Sequence, residues 1–209
     1  MTFEDHERTT AAIASIGDNS PHLKDITIYP RGHEGYFVVT LPVVNSFECM
    51  SPTHLDLGMV IFNPQEVGRD WDYEGDEITQ NSSDLAQWTA LLSAVSGLQE
   101  LRLERQRLWW VHFELFASLL PNLRLLATDS VTFGESRMEV NASQSILIRS
   151  WPCFGSCASV LEIAIYIYEL WPNATWEPSA AELESNRGQA DCTSAELNDA
   201  LRALRPNAK

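Results

Sequence analysis

A short apolar pattern recurs along this chain and constrains its fold more than any other feature. The pattern is Φ-x-x-Φ-x-Φ, where Φ is an apolar residue, and its clearest copy is Leu98-x-x-Leu101-x-Leu103, with Leu108 five positions further on. Apolar residues at helical spacing come before it and end at Gly97; they are Leu85, Trp88, Leu91, Leu92 and Val95. Spacings of three and four indicate a helix face, whereas the later alternation indicates a buried strand. This segment therefore predicts a helix, a turn and a strand.

The same unit returns further along the chain. Leu123-x-x-Leu126 follows a second helical stripe, and Pro121-Asn122 breaks the helix between them. The stripe comprises Trp110, Phe113, Phe116, Leu119 and Leu120, and the strand continues to Val131 and Phe133. Three further copies predict strands at Leu23-x-x-Ile26-x-Ile28, at Leu55-x-Leu57 with Val60 and Phe62, and at Val160-x-x-Ile163-x-Ile165 with Leu170.

The stretches "GLQELRLERQRL" and "LPNLRLL" resemble leucine-rich repeats over about residues 20 to 170. That resemblance implies a strand on the concave side of a solenoid and a helix outside, with stacked neighbours burying the leucines in one column. Where the family pattern prefers Asn or Cys, this chain has Gln106, Val131 and Tyr168. The row of Asn or Cys side chains that satisfies backbone groups in the family is therefore absent or replaced. The irregular spacing is similar to the degenerate repeats of fungal F-box-type proteins, although residues 1 to 20 contain no recognisable F-box.

We therefore expect an α/β fold, a short irregular leucine-rich-repeat-like solenoid whose strand-helix units form a parallel sheet. A generic α/β domain whose buried strands share the spacing is the alternative. The expected organisation is a flexible segment over 1–20, a repeat domain over 21–176 with an acidic insertion over 66–84, and a polar tail over 177–209. A short amphipathic helix is expected in the tail, with Leu197, Leu201 and Leu204 on its apolar face.

Charge restricts the partners of the chain. Its 209 residues include 29 acidic and 14 basic ones, a formal net charge of -15. Such a charge repels phosphate backbones and anionic membranes, so we expect neither nucleic-acid nor membrane binding. The start of the sequence lacks the pattern of a signal peptide, which predicts a cytoplasmic or nuclear protein, and four cysteines are too few for a disulfide scaffold.

Motifs for catalysis or metal binding are missing from the sequence. Its five histidines include no His-x-x-x-His pair, and no glycine-rich phosphate loop or nucleophile elbow is present. We expect no metal, no cofactor and no catalytic residue. Enzymes built from scattered residues escape this test, so enzymatic activity stays open while a non-enzyme is favoured.

The outward positions of the expected strands are the candidate partner-binding residues, because alternate residues of a strand share one face. Arg102 would lie between two carboxylates on such a face, and the acidic insertion adds two aromatic anchors. The candidates are Asp25, Thr27, Tyr29, Glu100, Arg102, Glu104, Leu125, Ala127, Asp129, Glu162, Ala164 and Tyr166 on strands, and Trp71 and Tyr73 in the insertion.

The sequence thus predicts a module that recognises a protein partner. The resemblance to F-box-type proteins implies the substrate-binding part of a ubiquitin-ligase adaptor. Two alternatives stay open: an acidic inhibitor that mimics nucleic acid and blocks a basic enzyme, and a small-molecule enzyme with a pocket framed by Trp109, Trp110, Trp151 and Trp176. An exposed edge strand would also allow self-association.

Overall fold

The computed structural model describes residues 3–28, 36–62, 82–133, 144–154, 159–178 and 194–205. Six helices and eight strands lie within these ranges. In chain order they are α1 (Phe3–Asn19), β1 (Asp25–Thr27), β2 (Tyr36–Val38), α2 (Leu41–Met50), β3 (His54–Asp56), β4 (Met59–Ile61), α3 (Ser82–Ala94), β5 (Glu100–Trp109), α4 (Trp110–Leu119), β6 (Leu125–Phe133), β7 (Leu147–Phe154), α5 (Val160–Leu170), β8 (Thr175–Glu177) and α6 (Ser194–Leu204).

Six of the strands form one sheet in the order β1-β3-β5-β6-β7-β8, and all neighbours in it are parallel. The strands β2 and β4 form a second, two-stranded parallel sheet. Parallel neighbours need a crossover connection, and crossovers are right-handed, so a sheet that adds successive strands at the same edge carries its connecting helices on one face. The α/β class with a parallel sheet, predicted from the sequence, is confirmed.

The same tight turn links a helix to the following strand at four places. In each, the backbone N–H of an apolar residue donates to the carbonyl three residues earlier, at the end of the helix. The pairs are Leu23 with Ser20 at 3.1 Å, Leu98 with Val95 at 2.9 Å, Leu123 with Leu120 at 3.1 Å and Ala174 with Trp171 at 2.9 Å. Two of these turns, in "LPNLRLL" and "WPNATWE", contain Pro-Asn just after the helix, where proline ends it.

The core lies between the sheet and the helices. The leucines of the two clearest repeat copies are within it: Leu98, Leu101, Leu103, Leu108, Leu123 and Leu126 are each at most 1% exposed. Aromatic rings of the helices complete it; Phe113 of α4 contacts Trp171 after α5 with ring centroids 5.7 Å apart. Truncating such a buried leucine to alanine costs about 2–5 kcal/mol, so the pattern that predicted the units also stabilises them.

Gln106 satisfies backbone groups where the strands bend. The pairing of β5 with β6 shifts register between Leu103 and Arg107. There the Gln106 side-chain carbonyl accepts a hydrogen bond from the Val60 N–H at 2.8 Å, and the Thr128 hydroxyl donates to the Gln106 backbone carbonyl. The Gln106 side chain thus links the two-stranded sheet to β5 of the large sheet.

One predicted strand is wrong. Val160–Ile165 begins helix α5 rather than a strand. Ser159 is the N-cap, its hydroxyl accepting from the Glu162 N–H at 3.3 Å, while a Glu162 carboxylate oxygen accepts from the Ser159 N–H at 2.6 Å. This capping box starts a helix, and the buried residues Ile163, Ile167 and Leu170 recur at spacings of four and three. A short apolar run fits helix and strand alike, and here the cap decides.

The N-terminal segment also differs from expectation. Where the sequence predicts a flexible stretch over 1–20, α1 packs against α2 and buries Ile13. Gly17 lies at the crossing, because a Cβ added to it would come within 3.2 Å of the Ser46 Cβ. The absence of a side chain at Gly17 therefore lets the two helices approach closely.

Helix α6 lies against β8, the last strand of the sheet. Its Leu197 and Leu201 are each 1% exposed, and it packs on α5 and β8. The Arg205 side chain just after α6 donates to the carbonyls of Pro172 and Ala174. Among the residues that the structure describes, no helix has both the length and the hydropathy that crossing a membrane requires.

Candidate functional site

The strand register arranges the large sheet into three rows that run across all six strands. The middle row faces the helices and is buried; it consists of Ile26, Leu55, Leu101, Leu126, Ile148 and Trp176. The rows before and after it face the opposite side, because successive strand residues point to opposite faces. We call this opposite side the outer face.

Two rows of side chains form the outer face. The first comprises Asp25, His54, Glu100, Leu125, Leu147 and Thr175, and the second comprises Thr27, Asp56, Arg102, Ala127, Arg149 and Glu177. None of these twelve residues belongs to the hydrophobic core cluster as far as the structure describes it. Nine of them are exposed or half-buried, whereas Asp56, Leu125 and Ala127 are 9%, 8% and 2% exposed.

Charged groups cluster at the β1–β3–β5 end of the outer face. The His54 Nδ1 lies 2.6 Å from Asp25 Oδ1, and its Nε2 lies 3.6 Å from Glu100 Oε1. Arg102 Nη2 lies 3.4 Å from the other Glu100 carboxylate oxygen. The side chains of Asp25 and His54 are 80% and 43% exposed, so water screens these pairs and each adds at most about 1 kcal/mol to stability.

The middle of the outer face is apolar. Leu125 is 8% exposed, Ala127 is 2% exposed and Leu147 is half-buried. At the far end, Arg149 Nη2 lies 2.8 Å from Glu177 Oε2, so the charges on β7 and β8 neutralise one another. The outer face thus passes from a charged end through an apolar centre to a paired end.

The structure places the sequence-predicted site residues in three settings. Asp25, Thr27, Glu100 and Arg102 lie on the outer face with Leu125 and Ala127, Glu104 belongs to β5, and Asp129 lies in β6 where the β6–β7 register shifts. The outward positions assigned to Glu162, Ala164 and Tyr166 are wrong, since these residues lie in helix α5, with Ala164 and Tyr166 buried. Tyr29, Trp71 and Tyr73 lie outside the described residues.

Sequence reasoning missed half of the outer face. It omitted His54 and Asp56, which stand directly beside the recognised Leu55, and it found neither β7 nor β8. The missed residues on those last two strands are Leu147, Arg149, Thr175 and Glu177. The apolar alternations Ile146-x-Ile148 and Ala174-x-Trp176 indicate these two strands. The sequence analysis instead placed a strand at Val160, which lies between them in the chain.

Two buried polar side chains, His112 and Tyr166, lie at the junction of β5 and α4. His112 Nδ1 accepts a hydrogen bond from the Trp109 N–H at 3.0 Å, and burial lowers the pKa of His112 to about 4. The Tyr166 hydroxyl donates to the Trp110 carbonyl at 2.6 Å, and burial together with the negative charge of Glu114 raises the pKa of Tyr166. Both side chains hold backbone groups of the β5–α4 junction, which is a structural role.

The tryptophans of the expected pocket are dispersed. Trp176 is in the core, where its Nε1 donates to the Ser150 carbonyl at 2.8 Å, and Trp110 packs edge-on against Tyr166. Trp109 precedes α4, and the side chain of Trp151 lies outside the described part of the chain. A cleft of about 420 Å³ lies elsewhere, at the helix-to-strand turns, and its lining is Gln99, Pro121, Asn122, Arg124, Gln144 and Ser145.

Within the ranges that the structure describes, no group of three His, Cys, Asp or Glu side chains could hold a metal ion. Comparisons of this chain with protein-family models, with curated proteins and with solved structures find no match. The outer face of the sheet is the candidate functional site on its geometry alone.

Proposed function

We propose that this chain is a protein-recognition module, a short irregular leucine-rich-repeat-like solenoid that binds its partner on the outer face. The observation that supports this proposal is the strand order: six parallel strands follow the chain, and the helices that connect them pack on the opposite side. Such an arrangement leaves a continuous surface of side chains from six strands, as repeat proteins use for binding. The four recurring helix-to-strand turns add to the argument for a repeat.

The proposed role within that class is to hold a substrate for a ubiquitin ligase, as the resemblance to F-box-type repeat regions implies. The retention of a ubiquitin-ligase adaptor would support this role. A second candidate, an inhibitor that mimics nucleic acid, is favoured by the net charge of -15. The two candidates differ in what binds the partner. The recognition module binds it through the outer face, whereas the inhibitor binds it through the negative charge of the whole molecule.

A matched pair of substitutions tests the proposal. Leu147→Arg places a long cation in the centre of the outer face, and Leu161→Arg places the same cation on the exposed side of α5, where Leu161 is 54% exposed. Wild type and both variants would be immobilised and exposed to lysate, and retained proteins would be quantified by mass spectrometry at low and high salt. Urea unfolding of each variant would verify that it is folded.

We expect Leu147→Arg to abolish retention of the partner and Leu161→Arg to preserve it. If the two variants reduce retention equally, and salt releases a basic enzyme from all three proteins, the acidic inhibitor is the correct interpretation, because a charge-driven complex weakens steeply with ionic strength. Retention that neither substitution changes would refute binding at the outer face.

A further inference from the structure

The distribution of charge across the two outer rows indicates what the outer face can bind. Three carboxylates, Asp25, Asp56 and Glu100, face one guanidinium, that of Arg102, at the β1–β3–β5 end. Among the described side chains of the two outer rows, three carboxylates at this end thus stand against one guanidinium. This excess of carboxylates attracts a cation.

The positions that follow Glu100 in the first outer row are apolar. Leu125 and Leu147 follow Glu100 on the adjacent strands β6 and β7, and Ala127 lies beside them in the second row. Beyond them the Arg149–Glu177 pair has no net charge. A ligand that matches this row has a cationic group at one end and an apolar group next to it.

The spacing of the strands fixes the distance between those two groups. Adjacent strands lie about 4.8 Å apart, so the centre of the anionic end, on β3, is about 12 Å from the midpoint of Leu125 and Leu147. An extended chain advances about 3.3 Å per residue, which makes that distance three to four residues. Extended segments of proteins therefore have the reach that the row requires.

Building on the proposed function, we propose that the outer face binds an extended segment of a partner protein that crosses the strands, with basic side chains over Asp25 and Glu100 and apolar side chains three to four residues away over Leu125 and Leu147. Basic side chains would pair with exposed carboxylates, which sets orientation and association rate. Apolar side chains would remove from water the surface that the half-buried Leu147 still exposes, which supplies affinity, whereas Leu125 is only 8% exposed and adds mainly shape.

Three synthetic peptides and backbone NMR of the full chain test this assignment. The first peptide has two arginines, two serines and two leucines in that order, which puts the centres of the two pairs four residues apart; the second has glutamates instead of the arginines, and the third has serines instead of the leucines. The variant Asp25→Asn/Glu100→Gln removes two charges from the outer face, and Asp18→Asn/Glu169→Gln removes two from exposed helix positions as the matched control.

We expect the first peptide to shift amide signals of β1, β3, β5, β6 and β7, and the other two to bind more weakly. The outer-face variant should raise its Kd about tenfold or more, and the control variant less than about twofold. Stronger binding of the acidic peptide, an unchanged Kd in Asp25→Asn/Glu100→Gln, or no shifts on these strands would each overturn the assignment. If one of these outcomes occurs but Leu147→Arg still abolishes retention of the partner from lysate, the proposed function stands and only the assignment of a basic and apolar segment fails.

Discussion

The Asn198 side chain of α6 makes two backbone hydrogen bonds to Trp176, as a further strand beside β8 would. The Trp176 N–H donates to Asn198 Oδ1 at 2.8 Å, and Asn198 Nδ2 donates to the Trp176 carbonyl at 2.6 Å. Open strand edges invite pairing with other chains, and a covering helix prevents it. The β8 edge is therefore covered at Trp176, and the other edge of the six-stranded sheet, as far as the structure describes it, is β1.

Asn198→Ala should destabilise the protein by about 1–3 kcal/mol, because it leaves the two Trp176 groups without their partner in a half-buried setting. Urea unfolding measures this change. The control is Asp199→Ala on the same helix, whose carboxylate is exposed and pairs with Arg202, and it should change stability by less than about 0.5 kcal/mol. Equal effects of the two substitutions would show that Asn198 does not hold the edge.

Gln106→Ala should destabilise the fold by about 1–3 kcal/mol, since the Val60 N–H loses its acceptor at the junction of the two sheets. Amide hydrogen exchange provides a local measurement: the Val60 amide should exchange faster in the variant, whereas the amides of α5 should change only as far as global stability does. Gln87→Ala, at an exposed position of α3, is the control and should leave Val60 exchange unchanged. Unchanged exchange at Val60 in Gln106→Ala would contradict the assigned bond.

His112 should make stability depend on pH in the acidic range. Its pKa is about 4 in the folded protein, below the ordinary value of 6.5, so the unfolded chain binds the extra proton between these values. The stability from neutral His112 is complete above pH 6.5 and is lost as pH falls towards 4, with a full effect of about 3 kcal/mol.

The test compares unfolding free energies of wild type and His112→Asn across pH 4 to 7. Asparagine offers an oxygen to the Trp109 N–H but does not titrate, so the variant should have the shallower pH dependence. Parallel curves would mean that His112 does not contribute. An NMR titration of the His112 ring, which should have its midpoint near pH 4, checks the same point independently.

Ser159→Ala should destabilise α5 by about 1 kcal/mol, because it removes the hydroxyl that accepts from the Glu162 N–H. The Ser159 backbone N–H, and to a smaller extent its hydroxyl, holds the pKa of the Glu162 carboxyl below its usual value; because the variant keeps the N–H, NMR titration should find only a small rise of that pKa. Ser93→Ala, on the exposed side of α3, is the control, with a change of a few tenths of a kcal/mol. No loss of stability in Ser159→Ala would argue against the capping box.

Local periodicity was enough to predict the two clearest units. The helical stripe before Gly97 became α3 and the one before Pro121 became α4, and the strands that follow them became β5 and β6. The same information failed at Val160, where apolar spacing fits both kinds of element and the capping box of Ser159 with Glu162 decided for helix. Capping depends on two hydrogen bonds rather than on hydrophobic pattern, so periodicity alone did not reveal it.

By itself the sequence determined the α/β class, the parallel sheet and the leucines of the core, because burial periodicity is written into each segment separately. Only the tertiary structure decided which strands are neighbours and in which register. That register brings His54 between Asp25 and Glu100 and sets Leu125 beside Leu147, across residues that are far apart in the chain. A binding surface made of one residue from each strand exists only once inter-strand hydrogen bonds have fixed that alignment.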